Sequence, residues 1–144
     1  MADQQLPQPN RLPIIIVGAL ILLGIIVGIL ANRGSSFDQT AYDAGLQQIQ
    51  ANDLLASQIF LVDEDLPANE YALVARGGIA KYQENLGILE ELSSLSDLPN
   101  DEAAQVSGIL TYTELRIRMF ELLAKSAEED TQEYFDEIES IGTQ

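Results

Sequence analysis

An unbroken apolar run from Leu12 to Ala31 constrains this 144-residue chain more than any other feature. It holds no charged side chain, and about 20 residues rising 1.5 Å each cover about 30 Å, the thickness of a bilayer's hydrocarbon core. A helix that is apolar on every face has no polar side to turn toward water, which argues against a helix in the core of a small domain. A cleaved signal peptide would carry a shorter apolar core and a small-x-small site, and Ile29-Leu30-Ala31 is a poor one. Attachment through a lipidated cysteine is excluded because the chain has no cysteine. The expectation is an uncleaved single-pass anchor over residues 12–32, with a short tail at 1–11, a linker at 33–36 and an acidic helical domain at 37–144.

Lys and Arg near a span set its orientation. Arg11 and the N-terminal amine precede it, and Arg33 alone follows closely, the next base being Arg76. This bias predicts a cell (inner) membrane protein with a cytoplasmic N-terminus and an extracytoplasmic, periplasmic C-terminal domain. Within the span, Gly24 and Gly28 have the GxxxG spacing that lets two spanning helices approach closely, so a homodimer packed through that face is one expectation.

From Gly34 onward, 22 acidic side chains stand against five bases (Arg76, Lys81, Arg116, Arg118 and Lys125), a balance of −17. Such a field disfavours nucleic acid and anionic headgroups as partners. Without cysteine no disulfide holds the domain, so packing must.

Apolar spacing reads as helix throughout this region. Ser36 and Gln39 have capping-box spacing, and Tyr42, Leu46 and Ile49, continued by Leu54, Leu55, Ile59 and Phe60, form the face of a first helix that ends at Asp63-Glu64-Asp65. A second helix runs from Pro67, at a favourable first helical position, to Leu95. Its narrow stripe of Ala75, Ile79, Tyr82, Leu86 and Leu89 alternates spacings of four and three. Gly77-Gly78 interrupts it at a cost of about 2 kcal/mol relative to alanine and marks a kink, a close crossing or a break. After a turn at 93–99, a third helix spans Asn100 to Lys125, with Val106, Ile109, Tyr112, Met119, Phe120 and Leu123 on its apolar side. Asp130-x-x-Glu133 opens a last segment to Ile141, either a separate short helix or a continuation of the third. The fold class expected is all-α: a single N-terminal transmembrane helix followed by an antiparallel three- or four-helix bundle. Asp65-Leu66-Pro67 and Asp97-Leu98-Pro99 recur at a shift of 32, but two amphipathic helices with similar caps account for most of that likeness.

The chain lacks histidine and cysteine, the side chains most used for proton transfer and nucleophilic attack at neutral pH, and shows no nucleophile elbow, phosphate loop or dinucleotide motif. No enzyme activity, cofactor or metal site is expected. A calcium loop starting at Asp63 would need Gly at its sixth position and Glu at its twelfth, where Ala68 and Val74 stand. One residue breaks pattern. Arg116 falls among Ile109, Phe120 and Leu123 on the apolar face, where a lone guanidinium must pair or reach outward. Arg116, with Tyr82 and Tyr112 on the same stripes, is the candidate anchor for a partner or ligand, whereas Arg118 belongs to the surface. The function expected is a membrane-anchored, non-enzymatic interaction or assembly protein that docks on a membrane-associated protein partner. The alternatives are an extracytoplasmic ligand-sensing domain and a coiled-coil tether pairing through Ala75 to Leu89.

Overall fold

The computed structural model describes residues 37–62 and 66–143. The expected tail, the span at 12–32, Gly24 and Gly28 lie outside these residues. Among the described residues, no helix is long and apolar enough to cross a membrane. The described residues form four α-helices and no strands: α1 (Gln39–Ala56), continued by a 3-10 turn (Ser57–Leu61), α2 (Ala68–Ser93), α3 (Asn100–Glu129) and α4 (Phe135–Gly142). The contacts fix an up-down-up arrangement of the three long helices. Asn52 of α1 meets Asn85 of α2, and Gly45, earlier on α1, faces Leu92, later on α2. Tyr82 of α2 meets Arg116 of α3, while Gly78 faces Phe120. Antiparallel neighbours joined by short connections form a bundle.

The helix ends follow local chemistry, in places not the chemistry expected. Asp38, not Ser36, caps α1: its Oδ1 accepts from the Ala41 amide at 3.0 Å, satisfying a donor that has no intrahelical partner. Pro67 and Pro99 both sit in extended backbone just before α2 and α3, one residue earlier than the position expected of Pro67. Each lacks an N–H that would otherwise go unpaired there. Asp130 is not the start of a last helix but the end of α3. It adopts left-handed backbone at φ 50°, its amide and that of Thr131 bond to the Ser126 carbonyl, and the Ser126 hydroxyl donates to the Thr131 carbonyl. The chain therefore reverses, and α4 is a separate helix. It packs Ile138 against the top of the core, with Arg118 Nε donating to Glu137 at 3.1 Å.

Gly77-Gly78 does not break α2, which runs continuously through both. A side-chain carbon on Gly78 would collide with the Phe120 ring, whereas Gly77 faces open space. The pair marks a close crossing in which only the second glycine is required. On α1, Leu54 and Leu55 point outward, contrary to expectation. The buried stripe is Tyr42, Leu46, Ile49, Asp53 and Ala56, an unbroken 4-3-4-3 spacing that accepts a carboxylate where the sequence offers leucine next door. On α2 the buried positions include Ala75, Gly78, Tyr82, Asn85 and Leu89, with Ile79 and Leu86 half-buried. The 32-residue likeness does not extend to packing: Ala72 is buried and Ala104 exposed, while Glu70 is exposed and Glu102 buried. The proline entrances do match.

Two apolar clusters result. One joins Phe37, Tyr42, Leu46, Ile49, Leu89, Leu92, Val106 and Ile109. The other joins Ala56, Ile59, Ala75, Met119, Phe120, Leu123 and Ile138. Between them lies a layer of polar side chains.

Candidate functional site

Arg116, Tyr82 and Tyr112 are brought together in that layer, and Asp53 completes the group. Asp53 Oδ1 accepts two hydrogen bonds, from the Tyr82 hydroxyl at 2.7 Å and from the Tyr112 hydroxyl at 3.1 Å. Arg116 Nε donates to the Tyr82 oxygen at 3.1 Å. Tyr82 thus relays between the guanidinium and the carboxylate, accepting from one and donating to the other. Four rings surround the Arg116 guanidinium carbon, with centroids at 5.4 Å (Phe60), 5.6 Å (Tyr112), 5.7 Å (Phe120) and 5.9 Å (Tyr82). Its Nη1 lies 3.8 Å from Met119 Sδ. Every long helix contributes: Asp53 from α1, Tyr82 from α2, and Tyr112 and Arg116, four residues apart, from α3.

A second bridge lies beside the first. Asn52 Nδ2 donates to Asn85 Oδ1 at 2.9 Å, and Asn85 Nδ2 donates to the Ile49 carbonyl at 3.4 Å. Lower in the bundle, the Tyr42 hydroxyl donates to Gln105 Oε1 at 2.9 Å, tying α1 to α3. One group is left over: the hydroxyl of Thr113 is buried and has no hydrogen-bond partner among the described residues.

Arg116 is only 5% exposed and Tyr82 fully covered, with Tyr112 half-buried at the rim. Removing a guanidinium from water costs several kcal/mol. Here the loss is offset by one charge-assisted hydrogen bond, by contacts with ring faces worth about 0.5–2 kcal/mol each, and by the nearby carboxylate. Burial alone would lower the Arg116 pKa, but the phenol oxygens of Tyr82 and Tyr112 and the Asp53 carboxylate outweigh it and raise it. Burial also pushes Tyr112 up to about 12 despite the opposing pull of Arg116, and pushes Tyr82 further in the same direction. Arg116 and the two tyrosines therefore hold their protons throughout the neutral range, so none of them suits proton transfer there. What the arrangement does well is fix the relative heights of three helices. Sliding one helix along another would strand a buried charge, a heavier penalty than mismatching leucines.

Sequence reasoning found Arg116, Tyr82 and Tyr112 but missed Asp53, Asn52 and Asn85. The missing signal was available. Continuing the Tyr42-Leu46-Ile49 spacing by four lands on Asp53, and stepping three from Tyr82 lands on Asn85. Arg118 is exposed and paired to Glu137, as expected of a surface residue. The Asp63-Glu64-Asp65 cluster lies outside the described residues, and among those residues no group of acids is arranged to hold a metal ion. No family model matches this sequence, and neither a curated protein nor a solved structure shows significant similarity to it.

Proposed function

We propose that this chain is a single-pass, membrane-anchored, non-enzymatic interaction or assembly protein, whose acidic helical bundle stands outside the cytoplasm and docks on a membrane-associated protein. One observation carries the reading: an uncharged span-length segment is joined by four residues to a bundle whose polar chemistry faces inward. The buried cluster of Asp53, Tyr82, Tyr112 and Arg116 serves packing, and what remains for a partner is shape, charge and exposed leucines. Leu61 and Leu73 are 78% and 66% exposed. In this reading Arg116, Tyr82 and Tyr112 act on a partner indirectly, by holding the outer faces in register. The Ala75 to Leu89 stripe is taken up inside one bundle, which removes the surface that a tether through it would use.

The test is fractionation of the full chain beside a version lacking residues 1–36. The full chain should stay in the membrane pellet after an alkaline carbonate wash, and the shortened one should be released. Added protease should digest the domain in spheroplasts and leave it intact in inverted vesicles. A full chain released by carbonate would overturn the anchor, and digestion in inverted vesicles would overturn the orientation. For docking, a photo-crosslinker at Leu73 in the membrane-bound chain should give one adduct of reproducible mass. A smear, or no adduct, would count against a defined partner.

A further inference from the structure

α4 is held to the bundle differently from the other helices. It buries one side chain, Ile138, whereas α1, the shortest of the three long helices, buries six. Tyr134, Phe135 and Ile141 are half-buried against the same apolar cluster as Ile138. The polar layer that joins α1, α2 and α3 has no member on α4, so lifting α4 strands no buried charge. Its polar ties lie at the surface instead. Arg118 Nε donates to Glu137 at 3.1 Å, with both side chains about half exposed. Lys125 Nζ lies 4.6 Å from the centre of the Tyr134 ring, and the Tyr134 hydroxyl donates to Glu129 at 2.7 Å. Exposed ties of this kind contribute little. The turn into α4 passes through Asp130 at φ 50°, backbone that residues with a side chain seldom adopt. From Glu128 to Glu139 there are seven acids and no base, so the α3–α4 hairpin repels itself. Little buried apolar surface and exposed ties mark a segment that opens before the rest of a fold.

The seat beneath α4 is unlike the rest of this acidic surface. Arg118 and Lys125 are the exposed bases of α3, and both are engaged by the α4 segment. Leu122 falls between them on the same stripe, at spacings of four and three, and is buried in the cluster that holds Ile138. An apolar floor between two bases fits an amphipathic helix with acidic flanks. α4 is such a helix: Tyr134, Phe135, Ile138 and Ile141 supply the apolar side, and Asp136, Glu137 and Glu139 are exposed. Helices lie in grooves through anchors of this spacing.

We infer that α4 is a releasable strap. It opens while α1, α2 and α3 stay folded, and its seat then takes an acidic amphipathic helix of the membrane-associated partner. In the closed state the chain fills its own docking groove, so the partner's affinity is reduced by the fraction of chains in which α4 is closed. The identity of the occupant rests on the docking reading; the opening of α4 does not.

Hydrogen exchange of the full chain in detergent micelles tests the opening. Amides at 138–142 should exchange about 100-fold faster than those around Tyr82 and Arg116, yet more slowly than in an unfolded peptide. Equal protection of α4 and the bundle overturns the strap, and so does no protection at all, which would leave no closed state. Arg118→Gln removes the tie to Glu137 and should speed exchange at 138–142 about two- to fivefold, with α2 and the middle of α3 unchanged. No change at 138–142 overturns the latch. The absence of cysteine allows the occupant to be tested in the membrane-bound chain. Arg118→Cys and Glu137→Cys are introduced together, with a photo-crosslinker at Lys125. That chain should give an adduct of reproducible mass, and joining the two cysteines with a bismaleimide, which holds α4 down, should remove it. An adduct that persists after bridging overturns the strap as a gate, and an adduct of twice the chain mass makes the occupant a second copy. An adduct at Leu73 with none at Lys125 defeats the seat and leaves the docking reading standing. No adduct at either position, with fast exchange at 138–142, defeats the docking reading and leaves the opening standing.

Discussion

Thr113 shows what a polar layer demands of single residues. Its hydroxyl is buried without a hydrogen-bond partner among the described residues, while its neighbours Arg116 and Tyr112 are held by hydrogen bonds. A buried, unsatisfied hydroxyl carries a desolvation penalty of about 1–3 kcal/mol, and replacing it with a methyl of nearly the same shape removes the penalty. Thr113→Val should therefore stabilise the domain by about 1 kcal/mol, read as a higher urea midpoint with an unchanged slope. A lower midpoint would mean that the hydroxyl is hydrogen-bonded in solution. Tyrosine supplies the opposite case. Burial raises Tyr42 and Tyr112 to about 12, above the unfolded value of 10.0, so the unfolded chain gives up these protons first. The stability they contribute is complete below about pH 10 and is lost as pH rises toward about 12. Urea midpoints should fall across that interval, and more gently in Tyr112→Phe than in the parent chain. Equal slopes would show that Tyr112 ionises as readily in the fold as outside it.

Two adjacent glycines in α2 separate the demands of helix formation from those of packing. Gly77 faces open space, so Gly77→Ala gains helix propensity at no steric cost and should stabilise by about 0.5–1 kcal/mol. Gly78 lies against the Phe120 ring. Gly78→Ala must push that ring, and with it the rings around Arg116, and should destabilise by about 1–3 kcal/mol. Thermal midpoints of the two variants should move in opposite directions; movement in the same direction would mean that the α2–α3 crossing is looser than described. The same pair shows which elements were legible in the sequence. Spacing revealed the three long helices, because amphipathic periodicity survives without knowledge of neighbours, but it left the last segment open between a separate helix and a continuation of the third. It could not say whether Gly77-Gly78 is a break or a crossing, since that depends on Phe120, 42 residues away in sequence. Leu54 and Leu55 read as core when apolarity is weighed above phase, and Asp53 escapes for the same reason. Arg116 is legible because it interrupts a stripe that is otherwise apolar, whereas Asp53, joined to it through Tyr82, sits on a helix whose apolar residues lead one position out of step.

For the molecule as a whole, charge is unbalanced in a way that packing must withstand. Among the described residues three exposed bases, Arg76, Arg118 and Lys125, and the half-buried Lys81 each pair with a glutamate, and the fifth base, Arg116, is buried. The remaining acids have few cations left to face, so the compact state carries net self-repulsion. Salt acts on both terms. At about 1 M the screening length falls to about 3 Å, which weakens exposed ion pairs worth about 0–1 kcal/mol each and also weakens repulsion among 22 acids. Four such pairs are a small sum beside that many like charges held on one bundle, and the buried Arg116 cluster is sheltered from salt. Repulsion should dominate. Sodium chloride raised from about 0.05 M to about 1 M should stabilise the domain from Gly34 onward by about 1–2 kcal/mol, a rise of several degrees in thermal midpoint. Chloride is the suitable salt because sulfate would also strengthen apolar burial. Arg76→Gln makes the same measurement diagnostic of mechanism. It removes one exposed pair and adds to the negative excess, so its midpoint should start lower in dilute salt and approach that of the parent as salt rises. Destabilisation of the parent by salt would instead show that a few exposed pairs outweigh the repulsion of the whole surface.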